Sequence, residues 1–385
     1  MNDDSEYSQY QELVTFLRES GALGAGWRDA FLRTPRRLFV PEQIWIAAGP
    51  SGYRSVTERD APEEWRAMVN ADEPVVTQLD DGEDSGPGVA TSSVSMPSLV
   101  GRMLAHLDVR DGIRSVLEIG SGWTTGLLCS RVGARHVVSV EIDPQVAARA
   151  RKALALAGHV PVLVVGDGTR GFPERAPYDR VSSTAAVFRV PHAWVAQTKP
   201  GGVIVTPWGT PFCNAGLLKL HVCEGEEAEG RFVDSVSFMW VRGQRPRSQA
   251  DADTSASGEA RYGPSAMNPE SALESVHAAF ALGLRLPTVR YRVAWDNSDP
   301  RTTCRLVLWD IDGSRATVLL HDWKATDAVR QTGPRNVWDE ATAARAWWES
   351  EGRPELTRFG VTATAAGQCV WLDRPSRVVT TMGLS

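Results

Sequence analysis

The sequence predicts an α/β protein: a doubly wound parallel sheet, preceded by a helical segment and followed by a small α+β domain. Three observations predict it. Between residues 99 and 242, short apolar runs alternate with helix-like segments, which is the rhythm of βαβ units. One of these runs, Val116–Ile119, leads directly into Gly120-Ser121-Gly122 and a helical pattern, the arrangement of a ligand-binding strand–turn–helix. The stretch 243–265 is rich in Ser, Ala, Asp, Pro and Gly and reads as a linker before a separate module.

The expected order is as follows. Residues 1–98 form an N-terminal helical segment with loops. Leu13, Phe16 and Leu17 share one helical face, and a second helical pattern runs from Trp27 to Leu38. Residues 43–98 read as irregular, because Pro, Gly and acids interrupt any period. Residues 99–242 are the α/β core. Helices are expected at Leu99–Leu107, Thr125–Arg131, Pro144–Leu156 and Pro191–Thr198. Strands are expected at Ser115–Ile119, Val137–Ile142, Val160–Val165, Arg180–Ala185 and Val203–Pro207. Residues 266–385 are the accessory α+β domain. Its strands are expected at Arg290–Trp295, Cys304–Asp310 and Thr317–Asp322, with a helix over Asp339–Glu351. A hairpin joins Val361–Thr364 to Cys369–Leu372. No internal repeat is visible.

Composition narrows the function classes. The 385 residues carry a net charge of -6 with scattered Lys and Arg, so no basic surface for nucleic acid is expected. No apolar run reaches the roughly 20 residues of a membrane span. The polar, acidic start MNDDSEYSQYQ does not read as a secretory signal. Five dispersed cysteines without CxxC spacing read as reduced thiols in a cytoplasmic protein. The seven histidines form no ligand pattern with them, and no metal site is expected.

Three elements in order point to a nucleoside-bearing cofactor. A lone Gly-x-Gly turn is weak evidence, since ordinary strand–helix turns also use it. Here a Rossmann fingerprint would place its third Gly at Thr125, and Gly126 follows instead. About twenty residues further on, Val138-Ser139-Val140-Glu141-Ile142-Asp143-Pro144 ends an apolar strand in an acid that can accept two bonds from a ribose diol. Gly166-Asp167-Gly168 follows the next strand, where a carboxylate can accept an adenine amino group; Asp-Gly alone is a common turn. The expected cofactor residues are Glu118, Gly120, Ser121, Gly122, Glu141, Ile142, Asp167, Gly168 and Thr184.

These motifs resemble the cradle of S-adenosylmethionine-dependent methyltransferases, which implies S-adenosylmethionine as cofactor. Around them the chain resembles the protein-L-isoaspartate O-methyltransferases. Phe31–Pro41 resembles their "F…PR..FVP" segment, and Asp72-Glu73-Pro74 resembles a strand entry. Ser93-Val94-Ser95-Met96-Pro97 stands where that family has Thr-Ile-Ser-Gln-Pro. Ala176-Pro177-Tyr178-Asp179 and Lys199-Pro200-Gly201-Gly202 follow in the family order. The likeness covers roughly residues 12–242. Departures are the longer segments 43–68 and 79–90, Met96 for Gln, Thr124-Thr125 after the turn, and the long C-terminal extension. Segments 72–78, 95–98, 205–209 and 333–339 are similar to the branch that tailors ribosomally made lanthipeptides, with a graspetide-associated sister group. That resemblance implies a cyclised precursor peptide as partner, an aspartyl methyl ester as product, and closure to succinimide and isoaspartate.

Carboxylate methylation needs no strong base, because an Asp side chain with a pKa near 3.9 is ionised at neutral pH. Placement and desolvation are what the protein must supply. Ser95 and Ser93 are the candidates for orienting the acceptor, with Thr91, Met96 and Arg189 as further substrate contacts; Thr91–Ser95 also reads as a polar loop capping the helix at Pro97. Half of the 14 tryptophans lie in the last hundred or so residues. They either line a peptide groove or fill a core, and Ala341, Ala344 and Trp348 on one helical face favour the core, with Arg345 at its edge. The run Asp80–Asp84 reads as a solvated loop. The competing functions are general repair of isoaspartyl residues and a binding subunit that keeps the fold without catalysis.

Overall fold

The computed structural model describes residues 3–49, 52–246, 259–295 and 304–383; most of the expected linker, 247–258, lies outside the described residues. The chain divides into two compact units. The first comprises Met1–Ala185, Pro191–Thr206 and Lys219–Ala228; the second comprises Ala186–Val190, Pro207–Leu218 and Glu229–Ser385.

The first unit opens with α1 (Asp3–Glu19) and α2 (Arg28–Arg33). Tyr10, Leu13, Val14 and Leu17 form the buried stripe of α1, at the i, i+3, i+4, i+7 spacing that puts residues on one face. Phe16 is exposed, contrary to expectation, because it lies about 100° of helical turn from Leu17. The helix expected from Trp27 to Leu38 is broken. Thr34 leaves the helical region before Pro35, and a separate 3-10 turn covers Arg36–Phe39, as the restriction on residues preceding proline requires.

Residues 43–98, expected to be irregular, contain a small antiparallel sheet. Its strands are β1 (Gln43–Ala47), β2 (Tyr53–Thr57), β3 (Val75–Leu79) and β4 (Ala90–Val94), ordered β2-β1-β3-β4, with α3 (Pro62–Asn70) between β2 and β3. Each strand has only five residues; β1, β2 and β4 bury one side chain each, and two of the three buried in β3, Thr77 and Gln78, are polar. Little alternating apolar pattern was therefore available to mark them.

After α4 (Pro97–Leu107), the Rossmann-like sheet follows: β5 (Val116–Ile119), α5 (Trp123–Val132), β6 (Val137–Glu141), α6 (Pro144–Leu156), β7 (Val162–Val165), β8 (Tyr178–Ser183), α7 (His192–Ala196) and β9 (Thr198–Gly209). The spatial order is β7-β6-β5-β8-β9, and β5 pairs in parallel with both β6 and β8. The connection reverses direction at β5, so the crevice beyond the carboxyl ends of β5 and β8 is where such sheets bind ligands. Two further strands, β10 (Asn214–Val222) and β11 (Ala228–Ser235), continue the chain.

In the second unit, β12 (Arg261–Gly263), β13 (Arg290–Trp295), β14 (Cys304–Trp309), β15 (Arg315–Leu319) and β16 (Val329–Thr332) form an antiparallel sheet ordered β12-β16-β15-β14-β13. The helices are α8 (Val276–Arg285) and α9 (Val337–Ser350). The expected hairpin is β17 (Phe359–Thr364) with β18 (Gly367–Leu372), extended by β19 (Val378–Gly383). Trp338, Ala341 and Ala344 of α9 pack with Leu282, Leu306 and Val318 in one buried core. Trp348 and Trp371 are buried too, whereas Trp295 is 70% exposed. Arg345 is buried with the α9 core residues and is paired with Glu274 and Glu349, both at 2.9 Å. Among the described residues, no helix is long and apolar enough to cross a membrane.

Candidate functional site

The turn after β5 is held from below by a buried polar network. Glu118 sits at 1% exposure in the strand. Its Oε2 accepts hydrogen bonds from Thr125 and, at 2.9 Å, from Ser139 Oγ of β6. Burial pushes the Glu118 carboxyl from an ordinary 4.5 up to about 8, with the Thr125 and Ser139 bonds opposing the rise. Thr125 Oγ1 in turn accepts from Gly122 N–H at 3.1 Å. The residue standing at the fingerprint's third glycine thus closes the turn with its hydroxyl. Gly126 takes the packing role of that glycine: a Cβ there would lie 2.7 Å from Thr34 Cγ2.

Gly120 has φ +95°, a conformation that favours glycine, and a Cβ there would collide with Thr184 Oγ1. A Cβ on Gly122 would meet nothing within 4 Å, so the turn faces open space a ligand can fill. Glu141 ends β6 beside it. Its Oε2 accepts from Ser121 N–H at 3.1 Å and its Oε1 from Asp143 N–H at 3.0 Å. Glu141 is thus oriented by the backbone at the edge of the turn. Ile142 is 38% exposed at the same edge.

Asp143 caps α6 through bonds to Gln145 and Val146 N–H, and its Oδ2 accepts from Gln78 Nε2 of β3 at 3.1 Å. Gln78 Oε1 accepts from Thr91 Oγ1, which itself accepts from Asp81 N–H. Thr91 is therefore engaged in anchoring the β3–β4 loop. Within that loop Asp80 spends both carboxylate oxygens on Gly88 and Val89 N–H. Asp167 accepts from Thr169 N–H and Oγ1. Gly168 backs onto β5, since a Cβ would lie 2.5 Å from Ile119 Cγ2.

A cavity of about 360 Å³ opens over the turn. It brings together Ser93, Ser95, Glu118, Ser121, Gly122 and Thr184 of the residues expected from sequence. Glu141 and Gly120 stand immediately beside it through the turn. Ile142, Asp167, Gly168, Thr91 and Met96 do not line it. Arg189 belongs to the second unit, where its guanidinium lies 5.7 Å from the Phe188 ring centroid. Neither the Ser93 nor the Ser95 hydroxyl has a hydrogen-bond partner among the described residues, whereas the Ser92 hydroxyl accepts from Thr77.

Sequence reasoning missed the residues that place Ser95. Arg36 is fully buried and donates to the carbonyls of Val69, Ala71, Glu73, Val94 and Ser95 at 2.6–3.2 Å. Burial lowers its pKa to about 10, so it remains a cation at neutral pH. Asp72 Oδ1 accepts from Ser98 N–H at 2.7 Å, holding the first turn of α4. The available signal was weak, since Arg36 is one of three arginines in Leu32–Pro41; only the fold shows which of them is buried and must find partners. Also missed were Arg149 and Lys152 of α6, which line the cavity.

The family model for Protein-L-isoaspartate(D-aspartate) O-methyltransferase matches residues 61–244. The Protein-L-isoaspartate O-methyltransferase of Methanoculleus marisnigri is 35% identical over 248 residues, 63% of this chain and 96% of that protein. Its namesake from Pyrococcus abyssi is 29% identical over 242 residues, 62% of this chain and 96% of the relative. A solved structure named protein-L-isoaspartate O-methyltransferase shares the fold over 95% of this chain and all of its own, with a TM-score of 0.54 and 19% identity. The chain belongs to the protein-L-isoaspartate O-methyltransferase family, and is a methyltransferase that uses S-adenosylmethionine.

Proposed function

We propose that this enzyme methylates the side-chain carboxylate of an aspartyl residue in a cyclised, ribosomally made peptide such as a lanthipeptide. The observation that carries the carboxylate part is the cavity itself. Two unpartnered hydroxyls, Ser93 and Ser95, share it with the glycine turn, and the acceptor needs orientation rather than a base.

The residues present fit the cofactor. The open space over Gly122 and the oriented Glu141 carboxylate provide a cradle, and Gly120, Ser121, Glu141 and Ile142 would hold the nucleoside, with Asp167 and Gly168 at its adenine end. When bound, S-adenosylmethionine supplies an electrophilic methyl group. Ser95 and Ser93 orient the carboxylate by donating hydrogen bonds, without the stable ion pair that would blunt its nucleophilicity. Leu38, Phe39 and Val94 supply apolar wall that excludes water. After release, the next backbone nitrogen closes on the ester carbonyl and methanol leaves, giving succinimide. Addition of water then opens the ring to isoaspartate or aspartate. All five cysteines are free, which supports a reducing, cytoplasmic setting.

The peptide part rests on the likeness of segments 72–78, 95–98, 205–209 and 333–339 to lanthipeptide-associated enzymes, with graspetides as the alternative ring class. Incubating the full chain with cyclised precursors of both classes and with a linear isoaspartyl peptide tests it. Turnover of a cyclised precursor alone is the expected result. Turnover of only the linear peptide replaces this reading with general isoaspartyl repair, which the names of the relatives favour. Binding weaker than millimolar for S-adenosylmethionine in calorimetry replaces both with a non-catalytic binding subunit.

A further inference from the structure

We infer that Arg149 and Lys152 select acceptor peptides carrying acidic side chains beside the methylated aspartate. The inference rests on reading the cavity as the site of carboxylate methylation.

Both residues lie on α6 three positions apart, so their side chains share a face of the helix, and both line the same cavity as Ser93 and Ser95. Neither has a hydrogen-bond or ion-pair partner among the described residues. Most arginines around the unit are occupied: Arg151, their neighbour, donates to Leu163 O, and Arg36 is consumed by carbonyls. The remaining titratable group in the lining is Glu118, and its buried acid is neutral at pH 7 because its pKa stands at about 8. The ionised side chains of the lining are therefore two cations, with the Glu141 carboxylate beside the cavity held by Ser121 and Asp143 N–H, in a chain whose net charge is -6. In the acidic β3–β4 loop, Asp80 does not line the cavity and is bonded to the backbone of its own loop.

The lining also separates two tasks. Hydroxyls on β4 and the following turn suit the reacting carboxylate, which must stay nucleophilic. Exposed cations on α6, beside the apolar Val146, Ala150, Ala153 and Leu156, suit carboxylates that do not react. Long-range attraction to such a patch acts on binding and encounter rather than on the chemical step.

The test compares two fluorescein-labelled cyclised precursor peptides that differ only beside the acceptor Asp, one with flanking Glu and the other with flanking Gln. Their binding to the full chain is read by fluorescence anisotropy at low and high salt, with methyl transfer to each measured separately. The wild type should bind the Glu-flanked peptide about tenfold more tightly at low salt, less so at high salt. The preference should vanish in R149Q/K152Q and invert in R149E/K152E. Equal binding by the wild type, or a preference that persists in R149Q/K152Q, overturns the inference. Because both side chains are exposed, the Gln pair keeps the fold, which circular dichroism verifies. A binding preference without methyl transfer overturns the functional reading and leaves only the preference of Arg149 and Lys152 for acidic peptides; methyl transfer without preference overturns this inference and leaves the functional reading standing.

Discussion

Arg36 donates through Nη2 to the carbonyl of Ser95 at 3.2 Å, across 59 residues of sequence. The same nitrogen reaches Val94 and Glu73, and Nη1 reaches Val69 and Ala71. One guanidinium thus ties the end of β4 to the segment after α3, and sets the backbone from which the Ser95 side chain enters the cavity.

Replacing Arg36 by Met should strand several buried carbonyls. Each unsatisfied group costs about 1–3 kcal/mol, partly relieved by relaxation, so a net loss of about 2–4 kcal/mol in urea unfolding is expected. Turnover should fall further than cofactor affinity, because the displaced element carries Ser95 and not Glu141. An unchanged unfolding midpoint would show that the carbonyls find other partners.

Ser95→Ala removes one donor to the acceptor carboxylate. Loss of a hydrogen bond to a charged group costs roughly tenfold to a hundredfold, here read in kcat, and S-adenosylmethionine affinity should stay near wild type. Single-turnover methylation of a saturating peptide measures this. Full activity would take Ser95 out of the chemistry.

Glu141→Ala removes an acceptor whose position is set by Ser121 and Asp143 N–H. Cofactor affinity should drop by about tenfold to a hundredfold, as expected for bonds to a charged group. Titration calorimetry with S-adenosylhomocysteine reads it without any turnover. Affinity equal to that of the wild type would contradict the ribose assignment.

Glu118 makes a pH prediction. Its folded pKa is raised from 4.5 to about 8, chiefly by burial. Between those values the folded state holds a proton that the unfolded state has lost. The unfolding free energy therefore falls as pH rises from about 4.5 to 8, by at most about 1.4 kcal/mol per pH unit. Glu118→Gln, neutral at every pH, should lack this slope and gain relative to wild type toward pH 8. Parallel slopes for the two proteins in urea melts across the range would refute the assignment.

The sequence alone determined the parallel core and the turn. A four-residue apolar strand, a Gly-x-Gly turn and an acid at the next strand end are local patterns, and each follows from backbone geometry over a few residues. Glu141, Ser121 and Gly122 could be placed for that reason. The small sheet of β1–β4 escaped notice because its strands are short and half exposed, so they carry little periodicity. Tertiary structure alone decided which polar residues are structural. Thr91 and Asp80 proved to be loop anchors, Thr125 and Ser139 the support beneath Glu118, and Arg36 the clamp on Ser95. Arg149 and Lys152, unremarkable on an amphipathic helix, became cavity residues. The physical reason is that a buried charge must find partners wherever the chain brings them. The partners of Arg36 lie up to 59 residues away in sequence, beyond the reach of any local pattern.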